Sequence, residues 1–197
     1  MKPRYALCLL FAAWSCARPP APPPPLPSHT VAVLPPNNQT GDTLLVAGAS
    51  ILEKYALNTD RITVPDILAS EARIQLARHG FDVIAPETVE AATLGRIPND
   101  AKEAGAIAVR GHLEGNVLYI DLRRWEVDVP FHPSSVIASL EVTLLDPASG
   151  RIVWTADHPS RPVPTVGVVN LGDAYAIAAR KVMEELLAPL GGERHQE

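Results

Sequence analysis

Two runs of alternating apolar and polar residues constrain this chain more than any other feature. Residues 117–127 (VLYIDLRRWEV) place Leu118, Ile120 and Leu122 on one face and Tyr119, Asp121, Arg123 and Trp125 on the other. Residues 135–145 (SVIASLEVTLL) repeat the pattern, with Val136, Ala138, Leu140, Val142 and Leu144 in phase. A period of two belongs to a strand with one face on a core and the other toward water. Between this run and the next, residues 146–150 (DPASG) read as a reverse turn, with Pro presetting φ and Gly free to take φ > 0. Residues 152–155 return as a third strand. The second half therefore predicts an antiparallel meander. Residues 130–134 read as a loop, and residues 157–168, with three prolines, as another.

The first half alternates short strands with helices. Residues 29–34 (HTVAVL) form a β-branched run closed by Pro35-Pro36. A polar turn cluster follows at 37–42. Residues 43–55 show no clean period, and Gly48 weakens a helix there. Residues 65–79 predict a helix: Pro65 suits its first turn, Asp66 its positive end, and Gly80 stops it. Its buried face would carry Leu68, Ala72 and Leu76, flanked by Ile67. A strand at 81–84 and a short helix at 87–94 come next. Residues 99–112 read as a helix capped by Asn99 or Asp100, although 106–113 also alternates as a strand would. Residues 173–187 form the closing helix, with Tyr175, Ala178, Val182 and Leu186 on one face, and 191–197 a flexible tail. The order β–α–β–α(α)–β–β–β–α predicts one α/β layered domain over 29–190. It would hold a mixed sheet of about five strands, a C-terminal antiparallel meander and helices packed on it.

The amino-terminal segment has a different character. Lys2 and Arg4 precede an apolar stretch at 5–13, and small residues follow at Ser15 and Ala17, as in an export signal spanning 1–15. Nine residues reach only about 14 Å as a helix, far short of the roughly 30 Å bilayer core. Ala13-Trp14-Ser15-Cys16 is similar to the lipobox of bacterial lipoproteins, which would make Cys16 the lipidated first residue. Ala13-x-Ser15 also suits an ordinary signal-peptidase site. A lone thiol at a mature terminus in an oxidising compartment favours lipidation. Ala17 is not the Asp that retains lipoproteins in the inner membrane, so the resemblance implies the periplasmic face of the outer membrane. Seven of the twenty prolines fall between Pro19 and Pro27. Residues 16–28 thus read as an anchored, extended spacer.

Composition excludes several functions. Without Lys2 and Arg4 the mature chain carries 15 cations against 22 anions, the wrong sign for a general nucleic-acid binder. Both cysteines, Cys8 and Cys16, precede the body, which has no thiolate nucleophile and no Cys-based zinc site. His29, His79, His112, His132, His158 and His195 show no metal-ligand spacing and read as exposed loop histidines. No nucleophile elbow or phosphate-cradling glycine loop occurs. Glu126 and Asp128, two apart at a strand end, are the one carboxylate pair to weigh for acid–base work. Arg123-Arg124 beside them favours local ion pairing instead. The sequence thus predicts no enzyme, no cofactor and no metal site. Arg123, Trp125 and Trp154 are the candidate partner-binding residues, since Trp and Arg are enriched at binding hot spots.

Residues 31–40 (VAVLPPNNQT) resemble the "VLPPxNxT" first strand and turn of a group of exported bacterial proteins. Residues 141–154 (EVTLLDPASGRIVW) are similar to their "xxLxDxxTGxxxW" hairpin, with Ser149 in place of Thr. The group comprises the curli-secretion lipoprotein, LpoB, PelC, the amino-terminal domain of TolB and uncharacterised outer-membrane lipoproteins, the last being nearest. The resemblance covers about 30–188. Residues 43–64 are extra length, and no long amphipathic hairpin pair like that of the curli pore is present. The resemblance implies a non-enzymatic outer-membrane lipoprotein. Its partner would be an envelope transporter, synthase or secretion component, with self-association as a further possibility. A ring-forming export subunit and a periplasmic hydrolase are the alternatives.

Overall fold

The computed structural model describes residues 26–45, 62–129, 133–168 and 170–191. The leader, Cys16, most of the proline spacer, the central part of 43–64 and the tail lie outside them. The elements run β1 (Thr30–Val33), β2 (Asn37–Asn38), α1 (Val64–Arg78), β3 (Asp82–Val83), α2 (Pro86–Thr93) and α3 (Ala101–Arg110). Then come β4 (Asn116–Val127), β5 (Ser135–Asp146), β6 (Arg151–Pro164), α4 (Leu171–Leu187) and a 3₁₀ turn at Ala188–Gly191. The α/β architecture is as read from the sequence, and β2 raises the strand number to six.

The sheet order is β3-β1-β4-β5-β6. β1 lies parallel to both β3 and β4, while β4, β5 and β6 form the antiparallel meander. A parallel strand between two neighbours is covered on both faces, and Val31, Ala32, Val33 and Leu34 are all fully buried. Helices α1 and α4 cover one face. There Leu68, Ala72 and Leu76 of α1 and Ala178, Val182 and Met183 of α4 pack with Leu118, Ile120, Leu122, Leu140, Val142 and Leu144. Helices α2 and α3 cover only part of the other face, where Val89, Ala104 and Ala108 meet Ala32, Leu34, Val117, Tyr119 and Leu145.

The helix ends follow local chemistry. The Thr63 hydroxyl accepts from the Asp66 amide while the Asp66 carboxylate accepts from the Thr63 amide, a reciprocal cap at the start of α1. Asp100 caps α3 by accepting from the Glu103 amide at 2.7 Å, and the helix ends at Arg110, so the strand reading of 106–113 is not realised.

Four sequence readings are corrected. Asn37 and Asn38 belong to β2, paired parallel to β4, rather than to a free turn. Residues 157–164 continue β6 instead of forming a loop. β6 is an edge strand, and on an edge Pro159, Pro162 and Pro164 interrupt no second ladder. His158 is fully buried rather than in an exposed loop. Its Nε2 accepts from Arg161 Nε at 3.2 Å, so its proton lies on Nδ1, which donates to the Ala138 carbonyl at 3.2 Å. Arg161 in turn pairs with Glu185 of α4. Finally, Trp125 is not on the polar face. A register shift between Leu122 and Arg124 inserts Arg123 as a bulge residue and brings Trp125 round to the leucine face. It is 2% exposed and meets Tyr175 edge-on at 6.1 Å.

Candidate functional site

Beyond Tyr119, among the described residues, no helix covers the second face of the meander, and the residues there turn polar. β4 contributes Asp121, Arg123, Arg124 and Glu126, β5 contributes Ser139, Glu141 and Thr143, and β6 contributes Thr155 and Asp157. The register sets Asp121 opposite Glu141 and Glu141 opposite Asp157. Three carboxylates therefore stand in one row across three strands. Like charges placed directly opposite on a sheet repel.

Arg123 holds this row together. Its Nε donates to Asp121 Oδ2 at 3.1 Å, one terminal nitrogen to Glu141 Oε2 at 2.9 Å and the other to Asp157 Oδ1 at 3.4 Å. The bulge frees the Arg123 side chain from the strict alternation and lets it lie along the row. Hydrogen bonds to Glu141 first and Asp121 second push its guanidinium above its usual range. Asp121 is the buried end, with only 10% of its side chain exposed. Its Oδ1 accepts from Gln39 Nε2 at 2.8 Å, Asn37 Nδ2 at 2.9 Å and the Tyr119 hydroxyl at 3.4 Å. Burial, then the Asp121 charge, raises Tyr119 to about 12, so it stays a hydroxyl donor. Asn37 and Gln39 reach Asp121 because β2 lies against β4 at this level.

The row is braced at its inner end and open at its outer end. Its side chains grow more exposed from Asp121 to Glu141 to Asp157, the last at 50%. Three carboxylates against one guanidinium leave an acidic strip. Arg124 and Glu126 continue the face as an ion pair at 2.7 Å, and Arg124 also donates to Ser160. Among the described residues no group of three or more His, Cys, Asp or Glu side chains is placed to hold a metal ion. In this row Arg123 supplies the cation.

Of the sequence-named candidates, Arg123 stands at the centre of the open face. Trp125 lies in the core, and Trp154, opposite Leu144, is half-buried against the α1–α4 side. Glu126 and Asp128 do not converge. Asp128 sits past the end of β4 and closes the β4–β5 connection, accepting from the Ser134 hydroxyl and from the Val129, Ser134 and Ser135 amides. Sequence reasoning did not single out Asp121, Glu141, Asp157, Asn37 or Gln39. Asp121 and Arg123, two apart on one predicted face, were the available signal. Their partners emerge only from the strand register.

No protein-family model matches the sequence, and no curated protein matches it. Solved structures do. A PelC dodecamer from Paraburkholderia phytofirmans matches with TM-score 0.51 and 15% identity, over 85% of this chain and 90% of that one. The hypothetical protein CT253 from Chlamydia trachomatis matches with TM-score 0.52 and 13% identity, over 84% and 96%. Lipoprotein GNA1162 from Neisseria meningitidis matches with TM-score 0.46 and 14% identity, over 84% and 99%. The chain thus shares its fold with PelC and CT253, the architecture implied by the resemblance of its first strand and last hairpin.

Proposed function

We propose that this chain is a non-enzymatic outer-membrane lipoprotein, anchored through Cys16, that holds a protein partner in envelope assembly, transport or secretion. The partner would bind the open face of the β4–β6 meander. The observation that carries the reading is the carboxylate row Asp121–Glu141–Asp157, braced by Arg123 on a sheet face that no helix covers among the described residues. An acidic strip of fixed geometry suits a basic surface on the partner. Residues 16–28 would hold the body away from the lipid. The hydrolase reading is not supported: Glu126 pairs with Arg124, and Asp128 is occupied by the β4–β5 connection. A ring-forming subunit is the second reading, favoured by the shared fold with a protein crystallised as a dodecamer.

Two measurements test this. Cys16→Ala should move the protein out of the outer-membrane fraction, and the wild-type mature amino terminus should carry the mass of acyl chains, each buried CH₂ adding about 0.8 kcal/mol to attachment. An unmodified chain free in the periplasm would contradict the anchor. Affinity capture from solubilised envelope should return a protein that Glu141→Lys loses while the melting curve is kept. Capture indifferent to Glu141→Lys would contradict the binding face.

A further inference from the structure

A separate cleft of about 590 Å³ opens at the carboxyl end of β1, well within the size of small-molecule sites. Its position follows from the topology. The chain passes from β1 to β3 through α1 on one face, and from β3 to β4 through α2 and α3 on the other. The two crossovers diverge above β1, and such a divergence leaves a crevice beyond the strand's carboxyl end. Here Pro35 and Pro36 form its floor, α1 one wall and α2 the other, with Val89 and Ile97 adding apolar surface.

Arg73 of α1 lines this cleft. One of its terminal nitrogens donates to the Val33 carbonyl at 3.4 Å, a long contact. Its Nε is buried with no hydrogen-bond partner, and among the described residues no carboxylate lies within ion-pair distance of it. Burial pushes the guanidinium below its usual range, with Glu87 and Asp66 acting in the opposite sense from a distance. Asp66 is already committed to Thr63, accepting from its amide at 2.8 Å and its hydroxyl at 2.6 Å. A half-buried cation without a paired anion is costly, and a buried donor without an acceptor adds to that cost. The unpaired charge is relieved by an anion brought in by a ligand. Asp66 and Glu90 also line the cleft, and their charges disfavour a second negative group on the ligand.

We propose that this cleft binds a small ligand bearing a single anionic group, carboxylate or phosphate, on an apolar body. The anion would meet Arg73, and the body would lie against Pro35, Pro36, Val89 and Ile97. The site is independent of the meander face. The test is a titration of the full chain with N-acetylproline, N-acetylprolinamide and phenyl phosphate, following the Val89 and Ile97 methyl resonances. At least one of the two anions should shift them and the amide should not. The tighter anion tells a carboxylate site from a phosphate site. Arg73→Met, which keeps the aliphatic stem, should weaken binding by about tenfold or more, and Arg73→Lys should restore part of it. Amide binding equal to acid, no shift from either anion, or undiminished binding by Arg73→Met would overturn the proposal. Should Arg73→Met fail to fold, the acid–amide comparison on the native chain decides alone.

Discussion

Adjacent residues of β4 have opposite tasks. Leu122 is fully buried under α1 and α4, whereas 42% of the Arg123 side chain meets solvent. Leu122→Ala should cost about 2–5 kcal/mol, for lost transfer energy and the cavity left behind. Arg123→Ala removes three ion pairs; those to Glu141 and Asp157 are exposed and contribute only about 0–1 kcal/mol each, and the buried Asp121 keeps its hydrogen bonds from Asn37, Gln39 and Tyr119. The urea midpoint should therefore fall much further for Leu122→Ala. Equal losses would show that the carboxylate row is a structural device and not a surface held ready for binding. Asp128 permits a sharper test. The Ser134 hydroxyl, then the Ser135, Val129 and Ser134 amides, lower its carboxyl to about 2. Its folded value lies below the unfolded one, so the stabilisation is complete above about pH 4, the ordinary Asp value. It is lost as pH falls through 2. A carboxyl-carbon NMR titration should place the Asp128 midpoint near 2, and a midpoint near 4 would mean that the β4–β5 connection is not held this way.

Among the elements, period-two and period-four patterns were enough to locate α1, β4, β5 and α4, because each buries one face and leaves the other wet. The order of elements was legible for the same reason, apart from the two-residue β2, which reads as a turn cluster. Bulges were not. Alternation carried through Arg123 puts Trp125 on the wrong face, and nothing in VLYIDLRRWEV marks the residue where the phase breaks. The length of β6 was hidden by three prolines whose harmlessness depends on its edge position, a tertiary fact. The carboxylate row was hidden for a related reason: its members come from three strands, and only the register aligns them. Gly115 shows how tightly the elements are joined. It enters β4 with φ +75°, and a Cβ there would lie 2.4 Å from the Thr30 carbonyl of β1. Gly150 has φ +68° but open space around it. Gly150→Ala should cost about 1 kcal/mol, from backbone strain alone. Gly115→Ala should cost about 1–3 kcal/mol more, since β1 and β4 must part to admit the methyl. Equal thermal midpoints for the two variants would contradict the close approach of β1 to β4.

For the whole molecule, the distribution of helices decides what is left to bind. Among the described residues, α1 and α4 cover one face of the sheet, α2 and α3 cover the β1 end of the other, and no helix covers the meander's polar face. Of the sheet's edge strands, β2 and β3 are two residues long and β6 carries its prolines, which blunts strand-to-strand association. On the reading proposed above, the face rather than an edge is the contact surface. Carboxyl footprinting with a carbodiimide and an amine tests this most directly, on the purified chain and on the chain in intact envelope. Glu141 and Asp157 should label readily in the purified protein and be protected in the envelope, while Glu114, remote from the row, labels equally in both. Equal labelling of Glu141 and Asp157 in the two settings would contradict a partner on the meander face.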